Sequence, residues 1–329
     1  MTLIWAGSYT DNMGGFSRGI SALRLSDRGL QFFGLAAVAS SPSFLAHSAV
    51  PGVLYATDEA NGRVEAYRRK GKGATLVPLG GQPTSGSLTC HLSATAQWLY
   101  GCNYEGGTID VYPLGTDGQI GELSQTLSSA GKGPKPEQAG PHPHSTVAFG
   151  DTVIAADLGT DRVNVYRWHD QSLELESSIG LPAGTGPRDF VVSPVAGKIF
   201  LVGELGASVF VLGGGRNLQV LKAGSTGAAG GDHAAGLAVD PTGRFLYTGL
   251  RGSNRVVAID SQTLQPIVDV PSGGDWPCNL CVVGNMLLVA NQKSGTVSTF
   301  QLDPQTDVPT LTGTPLFVDS PTHLLPDNA

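Results

Sequence analysis

The sequence contains little charge. Asp, Glu, Lys and Arg make up 14% of its 329 residues, Lys and Arg together number 20, and the net charge is −7. The one basic cluster, Arg68-Arg69-Lys70 with Lys72, follows a predicted strand and precedes glycines, which is typical of a solvated turn. Because a nucleic-acid-binding surface needs clustered cations, we expect no nucleic-acid partner.

Long apolar runs and cysteines are also scarce. No apolar run of about 18 residues occurs, and no basic segment followed by a cleavage site opens the chain, so we expect neither a membrane span nor a signal peptide. The four cysteines are too few for the disulfide framework of a small secreted fold. We therefore expect a soluble, cytoplasmic protein with reduced thiols, either a monomer or a weak homo-oligomer.

No segment repeats its apolar residues with the helical period of about 3.6, which excludes helical solenoids. Glycine, at 46 residues, has roughly twice its usual share of about 7%, and there are 21 prolines. Glycine supplies positive φ and proline presets turns, so this composition indicates many short strands joined by tight turns. Hydrophobic residues make up 40% of the chain, enough for a large core.

A sequence repeat of about 45 residues runs along the chain. Each copy has an opening motif, an apolar strand that ends in polar residues, a small-residue turn and a further strand; the six opening motifs begin at residues 42, 89, 143, 187, 235 and 277. Pro321–Leu325 matches an opening strand with nothing after it, and Leu3–Tyr9 matches a second strand with nothing before it. The repeat predicts an all-β, seven-bladed β-propeller over residues 1–329, a single domain closed by pairing the C-terminal strand with the N-terminal blade.

The stretch Gly140-Pro-His-Pro-His-Ser145 is the most specific part of the chain, because two prolines hold two histidines on stiff, non-helical backbone. In a propeller, residues at matching repeat positions face one another across the central channel. Opening motifs and strand ends therefore bring together residues that are remote in sequence. The catalytic candidates chosen in this way are His142, His144, Arg188, Glu204 and Arg251.

Other polar residues recur at strand ends or in opening motifs and are candidates for binding substrate. They are His91, Asn103, Asp157, Asn291 and Gln292. Asp58 shares the repeat position of Asn103. Asp and Asn at a strand end also cap turns with their own side chains, so a structural role is the alternative for these residues.

A metal site has weak support. His142 and His144, two residues apart, lie on one side of an extended chain, but no carboxylate ligand set accompanies them. Cys278 and Cys281 have zinc-like spacing, yet residues i and i+3 of a strand point to opposite faces. We expect neither a metal nor another cofactor.

The chain resembles the seven-bladed lactonase propeller family, which includes propeller-type 6-phosphogluconolactonases and carboxymuconate cyclases. The resemblance runs through the whole chain in order, and one departure is Asp189, where the family usually has His. The matching phrases are Gly7-Ser-Tyr-Thr10, Cys90-His-Leu92, His142-Pro-His-Ser145, Asp157-Leu-Gly-Thr-Asp-Arg-Val163, Gly186-Pro-Arg188, Glu204-Leu205 and Ala290-Asn-Gln292.

The resemblance implies that His144 (with His142), Arg188, Glu204 and Arg251 form an active site for a small anionic lactone. His144 would act as acid or base with Glu204, while the arginines would hold the substrate anion and the developing oxyanion. The expected function is 6-phosphogluconolactonase-like hydrolysis. The alternatives are a carboxymuconate cyclase-type lactonising enzyme, a metal-dependent gluconolactonase-like propeller, or a non-catalytic propeller that scaffolds protein partners through an apolar or aromatic rim.

Overall fold

The computed structural model describes residues 1–195, 197–215 and 217–327. Those residues form seven antiparallel sheets, which we number as blades 1 to 7, and two single-turn 3₁₀ helices at Asp11–Met13 and Pro136–Gln138. The all-β, seven-bladed propeller is confirmed. None of the helices within these ranges is long and apolar enough to cross a lipid bilayer.

Apart from the last strand of the chain, the strands enter the blades in sequence order, and most blades contain four strands. Blade 1 contains β1 (Thr2–Ser8), β2 (Gly19–Ser26) and β3 (Gly29–Val38); blade 2 contains β4 (Leu45–His47), β5 (Val53–Asp58), β6 (Arg63–Arg69) and β7 (Leu76–Pro83). Blade 3 contains β8 (Thr89–Ala94), β9 (Trp98–Asn103), β10 (Thr108–Pro113) and β11 (Gln125–Ser128); blade 4 contains β12 (Pro143–Phe149), β13 (Thr152–Asp157), β14 (Arg162–His169) and β15 (Ser172–Gly180).

The second half continues the pattern. Blade 5 contains β16 (Pro187–Val192), β17 (Ile199–Gly203), β18 (Ser208–Gly213) and β19 (Gln219–Ser225); blade 6 contains β20 (His233–Val239), β21 (Phe245–Arg251), β22 (Arg255–Asp260) and β23 (Pro266–Pro271). Blade 7 contains β24 (Pro277–Val283), β25 (Met286–Asn291), β26 (Thr296–Leu302), β27 (Pro309–Leu311) and the short β28 (Leu316–Phe317); the last strand is β29 (Pro321–Pro326).

The ring closes where β29 joins blade 1, as the sequence predicted. β29 pairs antiparallel with β1, with Trp5 opposite Leu325. Asp327 extends the closure: its carboxylate accepts a hydrogen bond from Trp5 Nε1 at 3.1 Å and pairs with Arg69 Nη1 of blade 2 at 2.5 Å. The first strands of all seven blades (β29, β4, β8, β12, β16, β20 and β24) contact one another in turn and form the inner wall.

The core consists of seven apolar clusters, one between each pair of neighbouring blades. Successive residues of a strand point to opposite faces, so one strand supplies both of its interfaces. In β1, Ile4 and Ala6 pack against blade 7, whereas Trp5 packs against blade 2. Four aromatic residues that recur at one place in the repeat are buried at these interfaces: Tyr55, Tyr100, Phe200 and Tyr247. Burying one such ring contributes roughly 1.5–3 kcal/mol.

Two glycine-rich stretches of the sequence, Ser128–Gly140 and Gly224–Gly231, are expected to form long loops. Residues 129–142 connect β11 to β12 and contain the second 3₁₀ helix, whose Gln138 is fully buried and donates to Asp161 Oδ1 at 2.8 Å. That loop is therefore anchored to blade 4. The second segment begins inside β19, which ends at Ser225, so its first two residues belong to a strand.

Candidate active site

An axial cavity of about 510 Å³ is lined by side chains from all seven blades. Two positions of the repeat supply most of its wall. One lies at the start of the first strand of a blade, and the other follows the end of the second strand. The candidate active site is built from these two positions.

A β-bulge fixes the first position. The pairing between the first and second strands of a blade shifts by one residue at Cys90, His144, Arg188 and Cys278, and the same shift occurs at Thr322 in blade 1. A bulged residue is left unpaired, which allows its side chain to be re-aimed. All five of these residues line the cavity.

In four of these five blades a sharp backbone turn precedes the bulge. Two residues before the bulged one, φ is positive at Leu88, Gly186, Trp276 and Ser320. For a bulky residue such as Trp276, with φ 65°, this left-handed conformation is an outlier of the kind that collects at functional sites. Asn254 Oδ1 supports it by accepting the Trp276 N–H at 2.9 Å.

The second position is the one that the sequence predicted for Glu204, Arg251 and Gln292, one residue later than Asp58, Asn103 and Asn291. Tyr9, Glu59, Tyr104, Glu204 and Gln292 each follow the last residue of a second strand, and all line the cavity. In blade 6, Arg251 takes this place at the end of β21. Because side chains alternate along a strand, the preceding residue of each blade points away from the axis.

Four of the catalytic candidates contact one another in the cavity wall. Arg188 Nη1 lies 2.6 Å from His144 Nε2 and 2.5 Å from Glu204 Oε2. Arg251 Nη2 approaches Glu204 Oε1 to 2.7 Å, and His233 Nδ1 lies 3.5 Å from the same oxygen. One carboxylate thus joins two arginines that come from different blades.

Burial and these charges set the protonation states. Burial lowers the pKa of His144 well below its ordinary value, and the nearby Arg188 guanidinium lowers it further. For Glu204, burial alone would raise the pKa, but Arg188 and Arg251 hold it well below its usual range. The cluster therefore contains a neutral imidazole, an ionised carboxylate and two cations.

Arg251 is incompletely satisfied. Although Nη2 is 2.7 Å from Glu204, its N–H does not point along that line, and Nε and Nη2 have no hydrogen-bond acceptor among the described residues. A buried donor without an acceptor costs about 1–3 kcal/mol. An oxygen of a bound anion would supply the missing acceptor.

His91 also lines the cavity, but its visible contacts join two blades. His91 Nδ1 of blade 3 accepts the Thr146 N–H of blade 4 at 3.4 Å. Asp189 Oδ2 of blade 5 accepts the Leu237 N–H of blade 6 at 2.9 Å. The same relationship holds for Asn279 with Leu324 N and for His323 with Leu45 N. Asp189 thus supplies the same kind of acceptor as the histidines at its repeat position, which accounts for one departure from the family pattern.

The other sequence-predicted residues lie outside the cavity lining. Asp157 Oδ1 accepts the His142 N–H at 2.8 Å, and its Oδ2 accepts from Ser129 at 2.6 Å. Asn103 bonds Thr89 Oγ1 at 2.7 Å, and Asn291 bonds Ser298 Oγ at 2.9 Å. These contacts give the three residues a structural role, because they hold neighbouring strands and loops together. Of the predicted binding residues, His91 and Gln292 reach the cavity.

His142 lies behind the wall rather than in it. Its ring stacks on Tyr104, with centroids 4.6 Å apart, and its Nδ1 lies 2.8 Å from the Tyr104 carbonyl oxygen. Tyr104 in turn meets His144 edge-on at 5.8 Å. His142 can therefore orient His144 through Tyr104 without touching a ligand.

Sequence reasoning missed several lining residues. Tyr9 and Glu59 occupy the second position in blades 1 and 2, and Trp276 and Lys293 flank blade 7. The available signal was the repeat itself, read one residue later than Asp58. The described residues contain no group of three or more His, Cys, Asp or Glu side chains able to hold a metal ion.

The chain thus forms a seven-bladed propeller with a buried His–Arg–Glu–Arg cluster at its axis. The family model described as "Lactonase, 7-bladed beta-propeller" matches residues 3–326. The chain belongs to this lactonase family, and the resemblance inferred from the sequence is confirmed.

Named relatives agree with this membership. The chain is 27% identical over 322 residues to a 6-phosphogluconolactonase of Bacillus subtilis (strain 168), covering 92% of this chain and 91% of the relative. The solved structure of the periplasmic gluconolactonase PpgL of Pseudomonas aeruginosa superposes with a TM-score of 0.91 at 27% identity, over 99% of both chains. A solved protein from Lactobacillus plantarum gives the same TM-score, 0.91, at 27% identity and the same coverage.

Proposed function

We propose that this protein hydrolyses an anionic sugar lactone in its axial cavity, with an activity like that of 6-phosphogluconolactonase. The observation that supports this most directly is the contact of one ionised carboxylate, Glu204, with Arg188 and Arg251 beside the neutral His144. Family membership and the name of the Bacillus subtilis relative support the same reaction class.

The chemistry needs an activated water and a stabilised oxyanion. The lactone carbonyl oxygen first draws the Arg188 Nη1 donor away from His144, while Glu204 keeps both guanidinium groups in place. His144 Nε2, now free, takes a proton from water as the water oxygen bonds to the carbonyl carbon, and Arg188 stabilises the oxyanion that forms. The ester C–O bond breaks, and the leaving ring oxygen receives the proton from His144.

A phosphate on the substrate would fit beside blade 7. Lys293 Nζ lies 3.2 Å from the centroid of the Trp276 ring, and Arg251 Cζ lies 5.4 Å from that centroid. All three residues line the cavity. Two cations around one aromatic ring form a region where a dianion would be attracted. This feature favours a phosphorylated sugar lactone over an unphosphorylated one.

The scaffold alternative has less support. Trp5 is buried in the core, Trp98 and Trp168 stack on each other at 4.3 Å, and Trp276 lines the cavity. The four tryptophans therefore do not form the aromatic rim patch that this alternative predicts. A lactonising enzyme would use the same residues in the reverse direction, so only assays separate it from a hydrolase.

The test is a panel of lactones assayed with and without chelator: 6-phosphogluconolactone, gluconolactone and carboxymuconolactone. We expect hydrolysis of the phosphorylated sugar lactone, insensitive to chelator, and a loss of at least about 100-fold in kcat/KM for H144A and R188A. If both variants kept full turnover of every lactone in the panel, the proposal would be wrong. The cytoplasmic location and the oligomeric state stay predictions.

A further inference from the structure

A second carboxylate lines the cavity in blade 2. Glu59 is 6% exposed, and Tyr9 Oη of blade 1 donates a long hydrogen bond of 3.4 Å to its Oε1. Glu59 takes the same position after β5 that Glu204 takes after β17. The repeat thus places two acidic side chains on the cavity wall, three blades apart.

The surroundings of the two carboxylates differ. Glu204 lies between two arginines, but no Lys, Arg or His nitrogen of the described residues comes within 4.0 Å of Glu59. Burial raises the pKa of Glu59, while hydrogen bonds from Ser43 and Tyr9 and the more distant Arg188 charge oppose the rise. The groups that face it are hydroxyls rather than cations.

A buried carboxylate needs hydrogen-bond donors in place of water. Two oxygens offer about four acceptor sites, and Ser43 and Tyr9 occupy only part of them. Glu59 lines the cavity together with Tyr9 and Ser43, so a ligand in the cavity would lie beside its carboxylate. Neutral hydroxyl groups of a ligand are donors that would satisfy Glu59 without introducing a second charge.

We propose that Glu59 and Tyr9 form a hydroxyl-recognition pair, which binds the hydroxyl groups of a polyhydroxylated substrate whose reacting carbonyl lies at Arg188 and whose phosphate lies at Arg251 and Lys293. This inference rests on the proposed function and narrows its substrate class. Sugar-derived lactones carry adjacent hydroxyls that can bond the two oxygens of one carboxylate. A lactone with several carboxylates and few hydroxyls would instead place negative charge against Glu59.

The discriminating substrates are gluconolactone and δ-valerolactone, which differ in their ring hydroxyls. We expect E59Q to lower kcat/KM for gluconolactone about 10- to 100-fold, because an amide presents one acceptor fewer and adds a donor. The loss with δ-valerolactone should be at least tenfold smaller. Y9F should show the same preference with a smaller factor. E105Q, a change at the exposed Glu105, is the matched control.

Binding of gluconate and of valerate, measured by calorimetry on the same variants, provides a readout that does not depend on turnover. Selective weakening of gluconate binding by E59Q supports the pair even if no lactone is hydrolysed, in which case the proposed function alone fails. Equal losses for both lactones and for both acids, with thermal unfolding unchanged, would overturn the pair and leave the hydrolase proposal intact.

Discussion

Arg188 Nη1 lies 2.6 Å from His144 Nε2. A guanidinium can only donate hydrogen bonds, so the imidazole nitrogen must present its lone pair. His144 is therefore neutral, with its proton on Nδ1, when no substrate is bound. The nitrogen that would act as the base is the one that Arg188 occupies, and a substrate oxygen that draws Arg188 away leaves it free.

This relationship predicts an unusual pH profile. Burial and Arg188 both lower the pKa of His144, so the neutral base persists at pH values where an ordinary histidine would be protonated. We expect kcat/KM to stay constant between pH 7.5 and 6.5 and its acid limb to lie below about 6.5. A pH–rate series with 6-phosphogluconolactone checks this. An acid limb centred above 6.5 would contradict the assignment of His144 as the base.

His91 and His323, which accept hydrogen bonds from neighbouring blades, are expected to make the folded protein less stable in acid. Burial lowers the pKa of His91 and of His323 to about 3, and backbone N–H groups donate to their Nδ1 atoms. The folded state excludes a proton that the unfolded chain binds below its pKa of about 6.5. The stability is complete above that pH and is lost as pH falls from about 6.5 toward 3, by about 2 kcal/mol per histidine between pH 7 and 5.

Urea unfolding at pH 7 and pH 5 measures this loss. We expect H323Q to reduce the difference between the two pH values by about 2 kcal/mol relative to the unsubstituted protein. H169Q, a change at an exposed histidine, is the control and should leave the difference unchanged. An identical pH dependence in H323Q and the unsubstituted protein would show that His323 is protonated in the folded state.

Lys293 should distinguish phosphorylated from unphosphorylated substrates. Its Nζ is held over the Trp276 ring at the cavity wall. K293M is expected to raise KM for 6-phosphogluconolactone about 10-fold while changing KM for gluconolactone less than about twofold, because one charge-assisted contact is lost. K70M, at an exposed lysine, serves as the control. Equal KM changes for both lactones would argue against a phosphate position at Lys293.

Asp157 should contribute to stability rather than to substrate contact. Its carboxylate accepts from the His142 N–H and the Ser129 hydroxyl, which hold the loop that precedes His144. We expect D157A to reduce the free energy of unfolding by about 1–3 kcal/mol more than D157N does, since Asn keeps one acceptor. Denaturant titrations of the two variants give the comparison. If D157A unfolded like D157N but bound substrate far less well, Asp157 would be a ligand-contacting residue.

Much of the fold could be predicted because the repeat is local. Glycine and proline mark the turns, the period-two alternation marks the strands, and Pro321–Leu325 fits the place that Leu3–Tyr9 leaves open. A blade cannot bury both faces alone, so seven copies require a ring. The same reasoning placed His144, Arg188, Glu204 and Arg251 around the central channel, and in the structure they are in contact.

The sequence by itself determined the number of blades, the closure of the ring and which residue types recur at its axis. Only the tertiary structure decided which residue of each neighbouring pair faces the cavity: Glu59 rather than Asp58, Tyr104 rather than Asn103, Gln292 rather than Asn291. The physical reason is that neighbouring residues of a strand point to opposite sides. Assigning the position one residue too early leaves the spacing of the repeat unchanged, but it selects a side chain that points into the blade instead of one that faces the channel. The Tyr9–Glu59 pair was therefore visible only in the folded chain.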